Sequence, residues 1–331
     1  MNDIKQLKPI LISELETYYC DFIEFKHSIG LKYTGEVRAL NYFARYCREH
    51  YTTNIHLPEN AIYDWINEDD NRSIKTKSNY CGIMTSWAKY MFSLGYIQMR
   101  IPEVRCPRNT AFVPHIFTTT EIEAIWNTVD HIAYVKRYPN LHRCIPVLFR
   151  LLYSCGLRIS EALSITKSDI DFERDIITLR KTKNDKERCI PMCSSIAKVL
   201  KKYIMGLDGD INDNHPIFYY RQNIPLTSGS VYGRFRLTLQ ESGIPYEGNL
   251  RGPRLHDFRH TFAVTTMNRL CDEGNDMYVS LPVLSAYLGH TDIKTTERYI
   301  RLTEERLSKI IDSIQLHIPD VFPEVKEYEE F

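Results

Sequence analysis

The chain has 331 residues, of which 43% are hydrophobic and 25% charged, and its formal net charge is zero. That length favours two domains over one, and that balance suits globular cores rather than a disordered or fibrous chain. No stretch approaches the roughly 18 consecutive apolar residues of a membrane helix, and the opening MNDIKQLKPILISELE meets polar and acidic residues too early for a signal peptide, so the expected compartment is the cytoplasm.

The first hundred residues read as helical. Leu15, Tyr18, Tyr19, Phe22, Ile23 and Phe25 recur at helix spacing up to a stop at Gly30. Val37, Leu40, Phe43, Ala44 and Cys47 repeat that spacing, and Pro58 suits the first turn of a third helix reaching Trp65 and Ile66. A fourth helix is expected from about Ser73 to Leu94, with Gly95 as its stop. Residues 101–116 hold three prolines, at 102, 107 and 114, and no periodicity, which reads as a linker. One of Thr118 to Thr120 caps the next helix, with Glu121 and Glu123 in its first turn. An apolar helix over 144–154 ends at Gly156, and another runs through Leu163. Asp175 to Arg180 and Arg188 to Met192 read as two strands joined by a lysine-rich turn. The remainder reads as mostly helical, with loops at 206–216 and 245–253. The expected fold is mainly α with a small β-sheet (α+β), divided as a helical domain over 1–100, a linker over 101–116 and a mixed domain over 117–331 that ends in a tail helix.

Zero net charge conceals an uneven distribution. From 221 to 260 six arginines (221, 234, 236, 251, 254 and 259) face three acids (Glu241, Glu247 and Asp257). From 301 to 331 four basic residues face eight acidic ones. An acidic tail therefore masks a basic interior, which permits a polyanionic partner. The nine cysteines are scattered from Cys20 to Cys271, and the closest pair, Cys189 and Cys193, lacks a second pair or nearby histidines at zinc spacing. They read as reduced thiols, mostly buried.

Four segments carry chemistry-bearing residues. Gly156-Leu157-Arg158-Ile159-Ser160-Glu161-Ala162-Leu163 sets an arginine just past a helix-ending glycine, a place where surface or capping arginines are ordinary. In Leu255-His256-Asp257-Phe258-Arg259-His260, His256 and Arg259 are three apart and share one face of a helix, which makes an anion site or simply a polar helix start. Tyr287-Leu288-Gly289-His290 puts a histidine at a tight corner after a helix stop, and Thr291 can cap the next helix on the way to Tyr299. With 22 tyrosines in the chain, Tyr299 alone would be an ordinary core or edge aromatic. The turn from Lys181 to Arg188, with Lys183 and Lys186, is of the kind normally explained by solvation, although a lysine at a hairpin tip can also reach a phosphate.

Each signal is ordinary by itself; their order along the chain is not. Arg, then a hairpin Lys, then His-x-x-Arg, Gly-His and Tyr resembles the tyrosine recombinase (phage integrase-type) family. The segments GLRISEAL, LHDFRHTFA and LGHTDIKTTERYI carry the resemblance, which covers about 117–302, and the helical N-terminal hundred residues resemble that family's SAM-like core-binding domain more weakly. The resemblance implies that Arg158 and Arg259 hold the scissile phosphate, that His256 begins the His-x-x-Arg motif, that His290 fills the position held by His or Trp, and that Tyr299 is the nucleophile. Lys183 matches the hairpin lysine, with Lys181 as its competitor.

This set suits metal-free cleavage of a phosphodiester. Two guanidinium groups grip the non-bridging oxygens where charge develops. A phenol with a pKa near 10 needs a base or a strongly positive site, a role for His256, while His290 hydrogen-bonds the phosphate and Lys183 protonates the leaving 5′-oxygen. The resemblance implies a 3′-phosphotyrosine intermediate, no cofactor, and a tetramer on two double-stranded DNA sites that exchanges strands through a Holliday junction. An accessory DNA-bending or directionality protein is a further possible partner. Lys75, Lys77, Asn79, Lys181 and Arg254 are candidates for DNA contact. Integration of a mobile element and resolution of chromosomes or plasmids both remain open, with the former favoured. The competing readings are an inactive DNA-binding protein of the same fold, a type IB topoisomerase, and a phosphatase or phosphate-binding protein using the His and Arg cluster.

Overall fold

The computed structural model describes residues 7–51, 56–105, 114–180, 187–207, 213–221, 224–246, 248 and 252–290. The chain divides into two compact units, 1–111 and 112–331.

The first unit is built on α1 (Leu15–Ser28), α2 (Glu36–His50), α3 (Ala61–Asn67) and α4 (Ile74–Ser93). Each turns an apolar stripe inward, so Phe22, Leu40, Phe43, Trp65, Met84, Trp87 and Met91 form a core with almost no solvent contact. Trp87 takes the edge of Tyr19 at 5.2 Å, an arrangement favoured by the ring quadrupoles. Ser73 caps α4 by accepting the Thr76 N–H at 3.1 Å. Pro58 is not in the first turn of α3: the helix begins three residues later, and the Pro58 carbonyl accepts the Ala61 N–H. The proline's fixed φ thus serves the approach turn rather than the helix.

The second unit begins with α5 (Thr119–Asp130). Thr118 is its cap, in a reciprocal box with Glu121. Next come α6 (Leu141–Cys155), α7 (Ile159–Leu163), an antiparallel sheet of β1 (Ile170–Asp171), β2 (Ile176–Leu179) and β3 (Arg188–Pro191), and α8 (Ser194–Met205). A two-stranded ribbon, β4 (Tyr219–Arg221) and β5 (Ile224–Pro225), precedes α9 (Ser228–Glu241), α10 (Asp257–Asp272) and α11 (Met277–Leu288). The β2–β3 hairpin has the expected strands, paired from Ile176↔Pro191 to Leu179↔Arg188. Neither β1 nor the β4–β5 ribbon was expected. Both are two- or three-residue strands, too short to show a period of two.

The centre of this unit is α6, packed against α5, α8 and α10. Phe258, at the start of α10, is sealed by Phe117, Phe149, Phe235 and Trp126, with ring centroids 5.2 to 6.0 Å away. Burying one such side chain contributes about 1.5–3 kcal/mol, and here it pins the N-terminus of α10 to the end of the apolar core. The Phe117 backbone N–H donates to the Thr261 hydroxyl at 3.0 Å, a second tie on the same helix. Among the described residues, no helix is long and apolar enough to cross a membrane. Lys181, Lys183, Tyr299 and the expected tail helix lie outside the described residues.

Candidate active site

Three helix ends meet at one corner of the second unit. The first is the end of α6. Gly156 leaves the helix in the left-handed region, at φ +57°, and a Cβ there would stand 2.5 Å from the Phe262 ring. Glycine is therefore required twice over, by conformation and by space. The turn delivers Arg158 to the N-terminus of α7, where its backbone N–H donates to Glu161 Oε2 at 2.9 Å and its Nη1 to Glu161 Oε1 at 2.8 Å.

Glu161 is buried and carries a second arginine. Arg188, the first residue of β3, donates Nη1 and Nη2 to the two carboxylate oxygens, each at 2.9 Å. Burial alone would push the Glu161 carboxyl up. The hydrogen bonds from Arg188, then those from the Arg158 backbone and side chain, outweigh it and hold the pKa at about 2.

The second helix end is the start of α10. The Arg254 backbone N–H donates to Asp257 Oδ2 at 2.7 Å, and His256 occupies the capping position. Arg259, one turn in, is 1% exposed. Its Nη1 donates to the Gly156 carbonyl at 2.6 Å and its Nη2 to the Leu288 carbonyl at 2.5 Å. Both acceptors are unspent carbonyls at helix C-termini, the negative ends of α6 and α11, so the fold supplies partial charges that offset desolvation of the guanidinium.

The third is the end of α11. Gly289 adopts φ +66°, and a Cβ there would stand 2.8 Å from Arg188 Nη1. Three consecutive carbonyls at this terminus accept from three different arginines. The Tyr287 carbonyl takes Arg188 Nε at 3.2 Å, Leu288 takes Arg259, and Gly289 takes Arg158 Nη2 at 3.1 Å. His290 follows at once. Its Nε2 lies 3.1 Å from Arg259 Nη2, and because a guanidinium only donates, Nε2 accepts and the ring proton sits on Nδ1.

Burial first, and then Arg259, Arg158 and His256, lower the pKa of His290 to about 4. Burial first, and then Arg259, Arg158 and Arg254, lower that of His256 to about 4, although the residue keeps an exposed surface. Both imidazoles are neutral at neutral pH. The corner thus sets Arg158, Arg188 and Arg259 around Glu161, a positive site matched to a phosphate monoanion, with two neutral imidazoles able to exchange protons.

The structure brings together Arg158, His256, Arg259 and His290, the four expected catalytic residues that fall within the described parts. Arg254 flanks them through its electrostatic contact with His256. Lys75 and Asn79 are exposed on α4 and Lys77 is half-buried there; Asn79 lines a groove with Lys26, Arg38 and Tyr42. Sequence reasoning missed Arg188 as a member of the site and Glu161 as its hub. Glu161 had a local signal, an acid three residues after Arg158 at a helix start. Arg188 had none, because its partners lie 27 and 99 residues away.

The profile of the phage integrase family matches residues 116–306. The tyrosine recombinase XerC of Staphylococcus saprophyticus is 28% identical over 205 residues, covering 62% of this chain and 62% of that protein. XerC of Rickettsia canadensis is 25% identical over 312 residues, covering 92% and 95%. Among solved structures, the XerH site-specific recombinase bound to its difH substrate in a pre-cleavage complex superposes with a TM-score of 0.64 at 18% identity. That match covers 92% of this chain and 100% of the other, and the likeness is one of fold.

Proposed function

The chain belongs to the phage integrase family, and from that premise we propose that it is a site-specific DNA recombinase that cleaves and rejoins duplex DNA through a 3′-phosphotyrosine at Tyr299. The observation that carries the reading is the convergence of Arg158, Arg259 and His290 where the ends of α6 and α11 meet the start of α10, with His256 in electrostatic contact with all three.

The scissile phosphodiester enters with one negative charge, and attack adds charge to its non-bridging oxygens. Arg158 and Arg259 take those oxygens. Their guanidinium groups are already anchored on carbonyls and on Glu161, so little reorganisation accompanies the developing charge. His256, neutral at neutral pH, accepts the phenol proton as Tyr299 Oη attacks phosphorus. The arriving anion raises the proton affinity of that imidazole, which favours the transfer. His290, with Nε2 held by Arg259, donates through Nδ1. Lys183 gives its proton to the departing 5′-oxygen.

The phosphorus–oxygen bond to the 5′ side breaks as the tyrosyl ester forms, so bond energy is retained and no nucleotide cofactor is spent. Attack on the ester by the 5′-hydroxyl of a second strand reverses the steps and leads to a Holliday junction.

Double-stranded DNA is the substrate, and four protomers act on two sites. Lys75, Lys77 and Asn79 of the first unit and Arg254 of the second supply backbone contacts, and an accessory DNA-bending or directionality protein chooses the outcome. The setting is the cytoplasm and a mobile element, with resolution of chromosomes or plasmids as the other use of the same chemistry.

Covalent trapping on nicked duplexes tests the reading, with DNA drawn from sequences flanking the gene or selected from random pools. A denaturant-resistant protein–DNA adduct is expected from the wild type and is absent from Tyr299→Phe. Tight duplex binding without any wild-type adduct would sink the enzyme reading and leave a DNA-binding protein of the same fold.

A further inference from the structure

Arg188 lies in the site although no motif points to it. It reaches Glu161 through both Nη groups and the Tyr287 carbonyl through Nε, and Gly289 leaves it the space to do so. Its side chain is 13% exposed and that of Glu161 is 1% exposed, so both charges are largely desolvated. Glu161 also binds Arg158, at the backbone N–H and at Nη1.

Without a second cation, a buried carboxylate would claim Arg158 as its sole counter-ion. The guanidinium that must face the phosphate would then be neutralised from behind. The Tyr287–Gly289 turn would also lose one of the three arginines that hold its carbonyls, and His290 follows directly on that turn.

We propose that Arg188 is a positioning residue for strand cleavage: it neutralises Glu161 and pins the end of α11, so that Arg158 presents its full positive charge to the scissile phosphate. The inference rests on the strand-cleavage reading above. It also links strand β3 to the phosphate site, since Arg188 follows Lys183 by five residues in the sequence.

The test is a charge-compensation cycle on single-turnover adduct formation, using a nicked duplex on which the wild type reacts. Arg188→Met is expected to slow the reaction roughly 100-fold, the scale of losing one preorganised donor to developing charge. Glu161→Gln keeps the shape of the side chain and removes the charge that Arg188 offsets. The double variant R188M/E161Q is therefore expected to react about 10-fold or more faster than R188M, a coupling of a size measured between contacting charged groups. A purely structural arginine would show no such rescue, because the second substitution adds damage.

Duplex affinity and circular dichroism are measured in parallel. Where R188M does not fold, Arg188→Gln, which keeps donors and drops the charge, takes its place in the same cycle. A double variant no faster than the single one overturns the proposal, as does a single variant that matches the wild type. Absence of a wild-type adduct on a duplex that the protein binds removes the strand-cleavage reading and the proposal together.

Discussion

Replacing Gly156 by alanine separates the two reasons that glycine stands there. The residue sits at φ +57°, where a Cβ costs about 1–2 kcal/mol in any context. The added carbon would also meet Phe262 at 2.5 Å from one ring atom and 3.1 Å from two others. Phe262 cannot simply swing away, because it stacks on Tyr287 at 5.4 Å. Forcing such a contact costs typically 1–3 kcal/mol, so Gly156→Ala should destabilise the second unit by about 2–5 kcal/mol.

Gly243 supplies the control, with φ +70° and nothing within 4 Å of a built Cβ. Gly243→Ala should cost the backbone share alone, about 1–2 kcal/mol. Hydrogen exchange read by mass spectrometry on peptides spanning 141–163 and 228–246, across a urea series, measures both variants. The Gly156 carbonyl also anchors Arg259, so Gly156→Ala should slow adduct formation on nicked DNA as well, and Gly243→Ala should not. Phe262→Leu in the Gly156→Ala background should recover part of the loss. The reasoning fails if the two alanine variants destabilise equally, or if the leucine substitution gives no recovery.

Two further outcomes are open to direct measurement, one in stability and one in rate. His256 and His290 titrate near 4 in the folded chain against an ordinary 6.5, so the unfolded chain binds more protons between those values, and stability should fall as pH drops from about 6.5 towards 4. Glu161, near 2 against an ordinary 4.5, extends the loss below pH 4.5. Melting temperatures taken across pH 7 to 3.5 at constant ionic strength check this, and His290→Gln should flatten the upper part of the slope. Lys183→Ala should slow cleavage about 10²–10⁴-fold, the usual worth of a general acid. A substrate with sulfur at the 5′-bridging position, whose thiolate leaves without a proton, should restore the rate; rescue of Lys181→Ala instead would reassign the acid to Lys181.

Much of the fold was legible locally because helices announce themselves within a few turns. The stripes of Phe22, Leu40, Phe43 and Trp87, the Thr118–Glu121 cap and the glycine stops at 156 and 289 all act between residues close in sequence, where periodicity and capping chemistry operate. Pro58 marks the edge of that reach: its fixed φ is compatible with a helix's first turn and also with the approach turn it occupies here. The ribbon of Tyr219–Arg221 with Ile224–Pro225 was too short to leave a pattern.

The same division runs through the site. The order of Arg158, His256, Arg259, His290 and Tyr299 along the chain carried the family resemblance, and with it the expected chemistry, because motif order is written in the chain before it folds. That Arg259 is buried against the carbonyl ends of two helices, that Glu161 is shared between Arg158 and Arg188, and that three successive carbonyls of one helix end seat three arginines were decided only in three dimensions. Apart from the Arg158–Glu161 pair, three residues apart, those contacts join groups tens to more than a hundred residues apart, with strength set by burial and approach distance, and neither quantity exists until the chain has folded.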